Sequence, residues 1–244
     1  KELVGTVGKD VAAPLSLVTT RLLLWWMDAK DSRTGDSLKL LYELPPGKEP
    51  LVKAIRYHSN KFNKDFEAIY FQAEGAQFGR YFMPDGTELE DRLKDSPLAY
   101  YEQVTSFLKD GRKHKGVDFK TPTGTPVLMP FDGVLEKKNW NWRSNGNCLQ
   151  FADVHTGRKA LFLHLSPVSD DIKVGAHFKK GQEVAKTGNT GHTTAPHLHY
   201  QLETPSKGIL DPFKIHETYK AHVAPAQMGG FQRELARLQA RFPK

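Results

Sequence analysis

The sequence predicts an α+β domain, then an all-β domain, then a short helix towards the C-terminal end. Three observations predict it. The chain has 244 residues, more than one typical domain needs. Its texture changes near residue 105, where a helical stretch and long strand-like runs give way to many short β-branched runs punctuated by Gly, Pro and Asn. Finally, Phe231, Leu235, Leu238 and Phe242 return to helical spacing after Gly229-Gly230. The expected parts are residues 1–104, 105–213 and a helical extension over 214–244.

The first helix is expected over 15–29. Leu15, Val18, Leu22, Trp25 and Trp26 recur three and four apart, with Arg21 and Asp28 facing outward. Turn-forming residues over 31–36 end it. Strand-like runs follow at 38–44, 51–58 and 66–72, separated by Pro45-Pro46-Gly47 and by the polar stretch 60–65. A short run, Gly79-Arg80-Tyr81-Phe82, precedes the turn Pro84-Asp85-Gly86, and a polar connector over 88–101 leads into the second part. There the expected strands are 127–129, 134–135, 149–154, 160–165, 183–187 and 199–202.

Composition narrows the function. A hydrophobic content of 39% with 11% aromatic residues belongs to a globular chain. The longest apolar run, 22–27, is too short to span a bilayer. Neither an initiator Met nor a signal peptide opens the sequence, so a trimmed N-terminus is expected, with any targeting segment outside it. Cys148 is alone, which excludes an intramolecular disulfide framework and a multi-cysteine zinc site. Charge is divided unevenly: residues 1–105 carry 14 Lys and Arg against 16 Asp and Glu, whereas 106–244 carry 21 against 12. A basic second half points to an anionic partner. Nucleic acid is not favoured, because no Lys/Arg run of five and no recognition-helix motif accompanies the charge.

Four of the ten histidines stand in telling positions. His114 precedes Asp118 by four residues, His164 sits in the apolar run Leu161-Phe162-Leu163-His164-Leu165, and His197 and His199 form His-Leu-His. On a strand, a period of two puts His197 and His199 on one face. Two imidazoles on one face and a carboxylate from elsewhere are material for a catalytic zinc site, which keeps three protein ligands and leaves a fourth position to water. Each element also has a plainer reading. His-x-x-x-Asp pairs are common, alternating histidines occur on surfaces, and His164 could be a core histidine bonded to a backbone carbonyl. The glycines of Gly188-Asn189-Thr190-Gly191 suit a tight turn. Trp140 and Trp142 suit either a groove wall over glycan or peptide or a hydrophobic edge.

Taken together, His114-Lys-Gly-Val-Asp118, Leu163-His164-Leu165-Ser166, Gly188-Asn-Thr-Gly191 and Pro196-His-Leu-His199 resemble, in order and spacing, the M23 peptidases, the lysostaphin-like or LytM-type family. The resemblance covers roughly 105–213 and implies a LytM-type all-β peptidase domain. The run 79–86 is similar, more weakly, to the N-terminal domains of Gram-negative members. By position the resemblance implies that His114, Asp118 and His199 bind Zn2+, and that His164 and His197 stand beside the metal as catalytic groups, with the role of each left open. It implies a zinc metalloendopeptidase that cuts peptide cross-links of bacterial peptidoglycan, with D-alanyl–diaminopimelate bonds favoured. It also implies location in the periplasm or cell envelope, or secretion, and no nucleic-acid partner. The competing class is a non-catalytic LytM-like regulator that binds and activates other wall hydrolases. Such regulators have lost the ligands, and here all are present. Two departures touch the groove walls: the short segment 105–113 replaces a longer one, and 137–147 replaces a glycine-rich loop. The acidic balance of the first domain adds an expectation that it restrains the basic catalytic half.

Overall fold

The computed structural model describes residues 7–108 and 114–242. They form two compact units, one of residues up to 91 together with those from 220, the other of residues 92–219.

In the first unit, helix α1 (Lys9–Leu23) buries Leu15, Val18 and Leu22, the stripe expected from the sequence. It begins earlier than residue 15 and stops before Trp25 and Trp26, which lie in the turn beyond it. Pro14 is inside the helix and cannot donate to Asp10. Asp10 is exposed, so water can take up its carbonyl. Antiparallel strands β1 (Ser37–Glu43), β2 (Leu51–Ser59), β3 (Lys64–Phe71), β4 (Arg80–Phe82) and β5 (Thr87–Leu93) follow in sheet order. Val52, Ile55 and Ala68 face α1 with Tyr81 and Leu89. The expected polar connector over 88–101 is therefore partly wrong, since 87–93 is a strand. Its glutamates disguised it: Glu88 and Glu90 are only 1% and 3% exposed, and Glu88 pairs with Arg80 at 3.4 Å.

The second unit contains β6 (Gln103–Ser106), β7 (Val117–Lys120), β8 (Pro126–Leu128), β9 (Gly133–Lys138), β10 (Asn147–Asp153), β11 (Lys159–Leu165), β12 (His177–Phe178), β13 (Glu183–Lys186), β14 (His197–Glu203) and β15 (Ile209–Leu210). Short helices α2 (Trp142–Asn145) and α3 (Pro212–Ile215) interrupt them. The main sheet runs β12-β9-β10-β11-β14-β7-β6, β15 adds to β14, and β13 pairs β8 separately. Alternation sorts its residues cleanly. Phe119, Leu198, Tyr200, Phe162, Phe151 and Leu149 are buried on one face. Asp118, His197, His199 and Gln201 occupy the other. Phe162 stacks on Tyr200 with centroids 5.5 Å apart. His216 Nε2 lies 2.8 Å from the buried Tyr200 hydroxyl. Burial pushes the imidazole pKa down and the phenol pKa up, so a neutral O–H donates to a neutral ring.

The C-terminal segment belongs with the first unit. Strand β16 (Thr218–His222) lies beside β5 in the six-stranded sheet. Helix α4 (Pro225–Gln239) then brings Phe231, Leu235 and Leu238 onto Ala54 and Ile69, on the sheet face opposite α1. The units therefore divide at 91/92 and 219/220, where the sequence reading put changes at 104/105 and 213/214. Helical spacing reveals the apolar stripe of α4 but not the sheet that receives it. Phe231 is fully buried between Phe71 and Phe82, with centroids at 5.5 and 6.0 Å. Phe231→Ala is expected to destabilise this unit by about 3–5 kcal/mol. Amide exchange would then quicken in β3, and unchanged exchange there would refute the packing argument. Among the described residues no helix is long and apolar enough to cross a membrane.

Candidate metal centre

The polar face of β14 and its neighbour β7 builds the site. Register pairs His199 with Asp118 and His197 with Lys120, so His199 and the carboxylate meet directly across the ladder. His114 enters from the segment just before β7. Gly116 lets that segment close on β14, since a Cβ there would come within 2.9 Å of His199 Nε2 and closer still to the Tyr200 carbonyl.

Three atoms converge. His114 Nε2 is 2.9 Å from His199 Nδ1, His199 Nδ1 is 2.9 Å from Asp118 Oδ1, and His114 Nε2 is 3.1 Å from the same oxygen. The outward nitrogens fix the tautomers. His114 Nδ1 lies 3.0 Å from the Phe107 carbonyl, which can only accept, so Nδ1 carries the proton and Nε2 presents its lone pair. Ser106 Oγ stands 2.9 Å from the same nitrogen. His199 Nε2 faces Gln201 Oε1 at 3.4 Å, and Gln201 turns its oxygen that way because its amide nitrogen donates to Glu203 at 2.5 Å. Two lone pairs and a carboxylate oxygen thus point at one another. That arrangement repels itself unless a proton or a cation lies among them, and its donor set of two imidazoles and one carboxylate suits zinc. Burial pushes the Asp118 carboxyl pKa up, but once a proton lies among the three atoms, hydrogen bonds and charge from His114 and His199 outweigh burial and hold it well below the usual range.

His197 and His164 flank this group. His197 Nε2 is 3.8 Å from Asp118 Oδ1, and its Nδ1 lies 2.8 Å from the Ala195 carbonyl and 3.1 Å from Thr193 Oγ1. The His164 and His197 ring centroids are 4.7 Å apart, and those of His164 and His199 are 6.2 Å apart. His164 reaches this face by a kink. Strict alternation along β11 would turn it with Phe162 into the core. Its backbone instead takes φ 64, and the pairing with β10 shifts register between Asn147 and Leu149. Such a bulge re-aims a side chain, and the left-handed residue costs about 1–2 kcal/mol. The ring donates from Nδ1 to the Thr190 carbonyl at 2.9 Å, leaving Nε2 as its basic atom. Burial pushes the His164 pKa down to about 4, against the Thr190 carbonyl and with the help of His197 and His199, so the ring is neutral at neutral pH.

All five residues singled out in the sequence are therefore gathered on one sheet face. Sequence reasoning missed the groups that orient them: Ser106, the Phe107 and Ala195 carbonyls, Thr190 and Gln201. Backbone carbonyls leave no trace in a sequence, although Gln201 and Glu203 continue the period-two pattern of His197 and His199. Trp142 is exposed on α2, and Lys137 lies over the Trp140 ring at 5.9 Å.

Residues 112–212 match the profile of Peptidase family M23. The chain is 30% identical over 195 residues to the peptidoglycan DD-endopeptidase ShyC of Vibrio cholerae, covering 73% of this chain and 42% of that protein. It is 37% identical over 97 residues to the glycyl-glycine endopeptidase ALE-1 of Staphylococcus capitis, covering 40% and 26% of the two chains. A solved zinc-containing peptidase from Vibrio cholerae aligns over 81% of this chain and 62% of its own, at 26% identity and a TM-score of 0.43. The chain spans less than half the length of the curated relatives it matches.

Proposed function

We propose, from the match of residues 112–212 to Peptidase family M23, that this protein is a zinc-dependent endopeptidase that hydrolyses peptide cross-links of bacterial peptidoglycan. His114, Asp118 and His199 hold the ion in this reading. The observation that carries it is the convergence of His114 Nε2, His199 Nδ1 and Asp118 Oδ1 with the outward nitrogen of His114 already committed to a carbonyl. When bound, zinc supplies Lewis acidity towards a carbonyl and lowers the pKa of water. The chain's own residues do the rest. Neutral His164, through Nε2, and His197, whose Nε2 faces the same carboxylate, take up and return protons or donate to the developing oxyanion. Asp118 stays ionised throughout.

The bond class proposed is D-alanyl–diaminopimelate. The relative named a DD-endopeptidase matches 73% of this chain, against 40% for the glycyl-glycine endopeptidase. Peptidoglycan as substrate puts the site of action in the cell envelope outside the cytoplasm, and the basic second half suits an anionic polymer. Purified peptidoglycan incubated with the protein should release muropeptides cut at these bonds, by mass spectrometry. A chelator should abolish release and added zinc restore it. Cleavage that survives full metal removal would sink the proposal.

A further inference from the structure

We infer that Thr190 is a positioning residue that holds His164 in its working orientation, an inference that rests on the proton-transfer role proposed for His164. Thr190 grips the bulge from two sides. Its carbonyl accepts from His164 Nδ1 at 2.9 Å, while its hydroxyl donates to the Leu165 carbonyl at 2.8 Å. The same hydroxyl accepts from the Asn147 backbone N–H at 2.9 Å, on the strand opposite. One side chain therefore ties the residue after the kink, the partner strand and its own loop together. The backbone carbonyl of that loop then fixes the imidazole tautomer.

The surroundings leave this clamp little play. His192 N donates to the Ser144 carbonyl at 3.0 Å, so the loop carrying Thr190 is also bound to the segment 139–146 that bears Trp140 and Trp142. A Cβ on Gly146 would collide with Thr190, and one on Gly191 would meet Ser144 O at 2.7 Å and Asn145 C at 2.8 Å. Both glycines have positive φ, at 63° and 78°. The left-handed conformation of His164 thus persists because its neighbours over-determine it. Loss of the Thr190 hydroxyl leaves the Asn147 N–H unpaired and loosens the loop, and the carbonyl moves off the ring.

Thr190→Val keeps the shape and removes the hydroxyl; Thr190→Ser restores it. In the full chain, Thr190→Val is expected to lower kcat on cross-linked muropeptides about 10–100-fold, part of the worth of the acid or base that it orients. KM and zinc content should stay close to the parent. The His164 Nδ1–H resonance, shifted downfield by its carbonyl bond, should weaken or move, with or without zinc. Thr190→Ser should recover both readouts. A control removes a comparable hydroxyl elsewhere: Thr125 is fully buried and bonds Thr121 and Pro122 at 2.7 and 2.8 Å. Thr125→Val should melt earlier yet keep kcat at temperatures where it is folded. Parental kcat in Thr190→Val, an equal loss in Thr125→Val, or zinc lost with activity would each overturn the inference. If His164→Ala itself keeps full turnover, the role of His164 fails, while the resonance still reports whether Thr190 holds the ring.

Discussion

His199→Ala loses metal and activity together: this is the largest effect expected of any single substitution here. His199 is 7% exposed and supplies Nδ1 to a cluster whose other atoms, His114 Nε2 and Asp118 Oδ1, stand 2.9 Å from it. Its removal leaves one imidazole and one carboxylate, which hold zinc weakly and open the coordination shell to extra water. Turnover should fall by more than ~10⁴-fold, because the Lewis acid departs along with its ligand. Elemental analysis after desalting decides the point. The informative comparison is His197→Ala, only two residues away on the same strand face. His197 has its Nδ1 engaged by the Ala195 carbonyl and keeps its Nε2 3.8 Å from Asp118 Oδ1, so its loss should leave zinc near one per chain. Zinc retained in the His199 variant but lost from the His197 variant would reverse the ligand assignment.

The second prediction separates chemistry from metal binding. His164→Ala should keep zinc near one per chain while turnover falls by about 10²–10⁴, the usual worth of a positioned acid or base. His164 has the required features: a neutral ring, a proton fixed on Nδ1 by the Thr190 carbonyl, and a centroid 4.7 Å from that of His197. The variant also removes a strained side chain and leaves the Thr190 carbonyl without its donor, two small effects of opposite sign on stability. Activity is therefore compared at a temperature where both proteins are folded. Zinc lost from this variant would make His164 a ligand and leave the proton-transfer role without support.

How legible the site was differs from residue to residue. His197 and His199 could be read from the sequence because β14 is regular, and a period of two is the only information their placement needs. Asp118 was read from its place four residues after His114 and from the family resemblance; its strand, β7, was not among those expected. His164 is the opposite case. Along Lys159–Leu165, alternation puts it with Ala160 and Phe162, both fully buried, and periodicity alone would have buried it as well. Family resemblance identified it, and a single positive φ explains how it escapes the core. The first helix was misjudged at both ends for related reasons. The apolar spacing starts only at Leu15 although the helix begins at Lys9 and runs through Pro14, and Trp25-Trp26 extend that spacing past its end. Local pattern reports which face of an element is apolar; it does not report where a bulge breaks phase or which distant sheet receives a helix.

The return of the C-terminal segment to the first sheet has a consequence for how the chain matures. Helix α1 and strands β1–β5 emerge from the ribosome before the second unit, but one face of their sheet lacks its cover until Phe231, Leu235 and Leu238 have been made. The second unit is a continuous segment, 92–219, and can close on itself while the earlier sheet still waits. The order of synthesis and the order of completion are therefore inverted. A sheet with Ala54 and Ile69 uncovered during that interval presents apolar surface and strand edges to other chains. Translation that stops after Tyr219 yields a second unit that holds His114, Asp118 and His199, attached to a first unit that has never been finished.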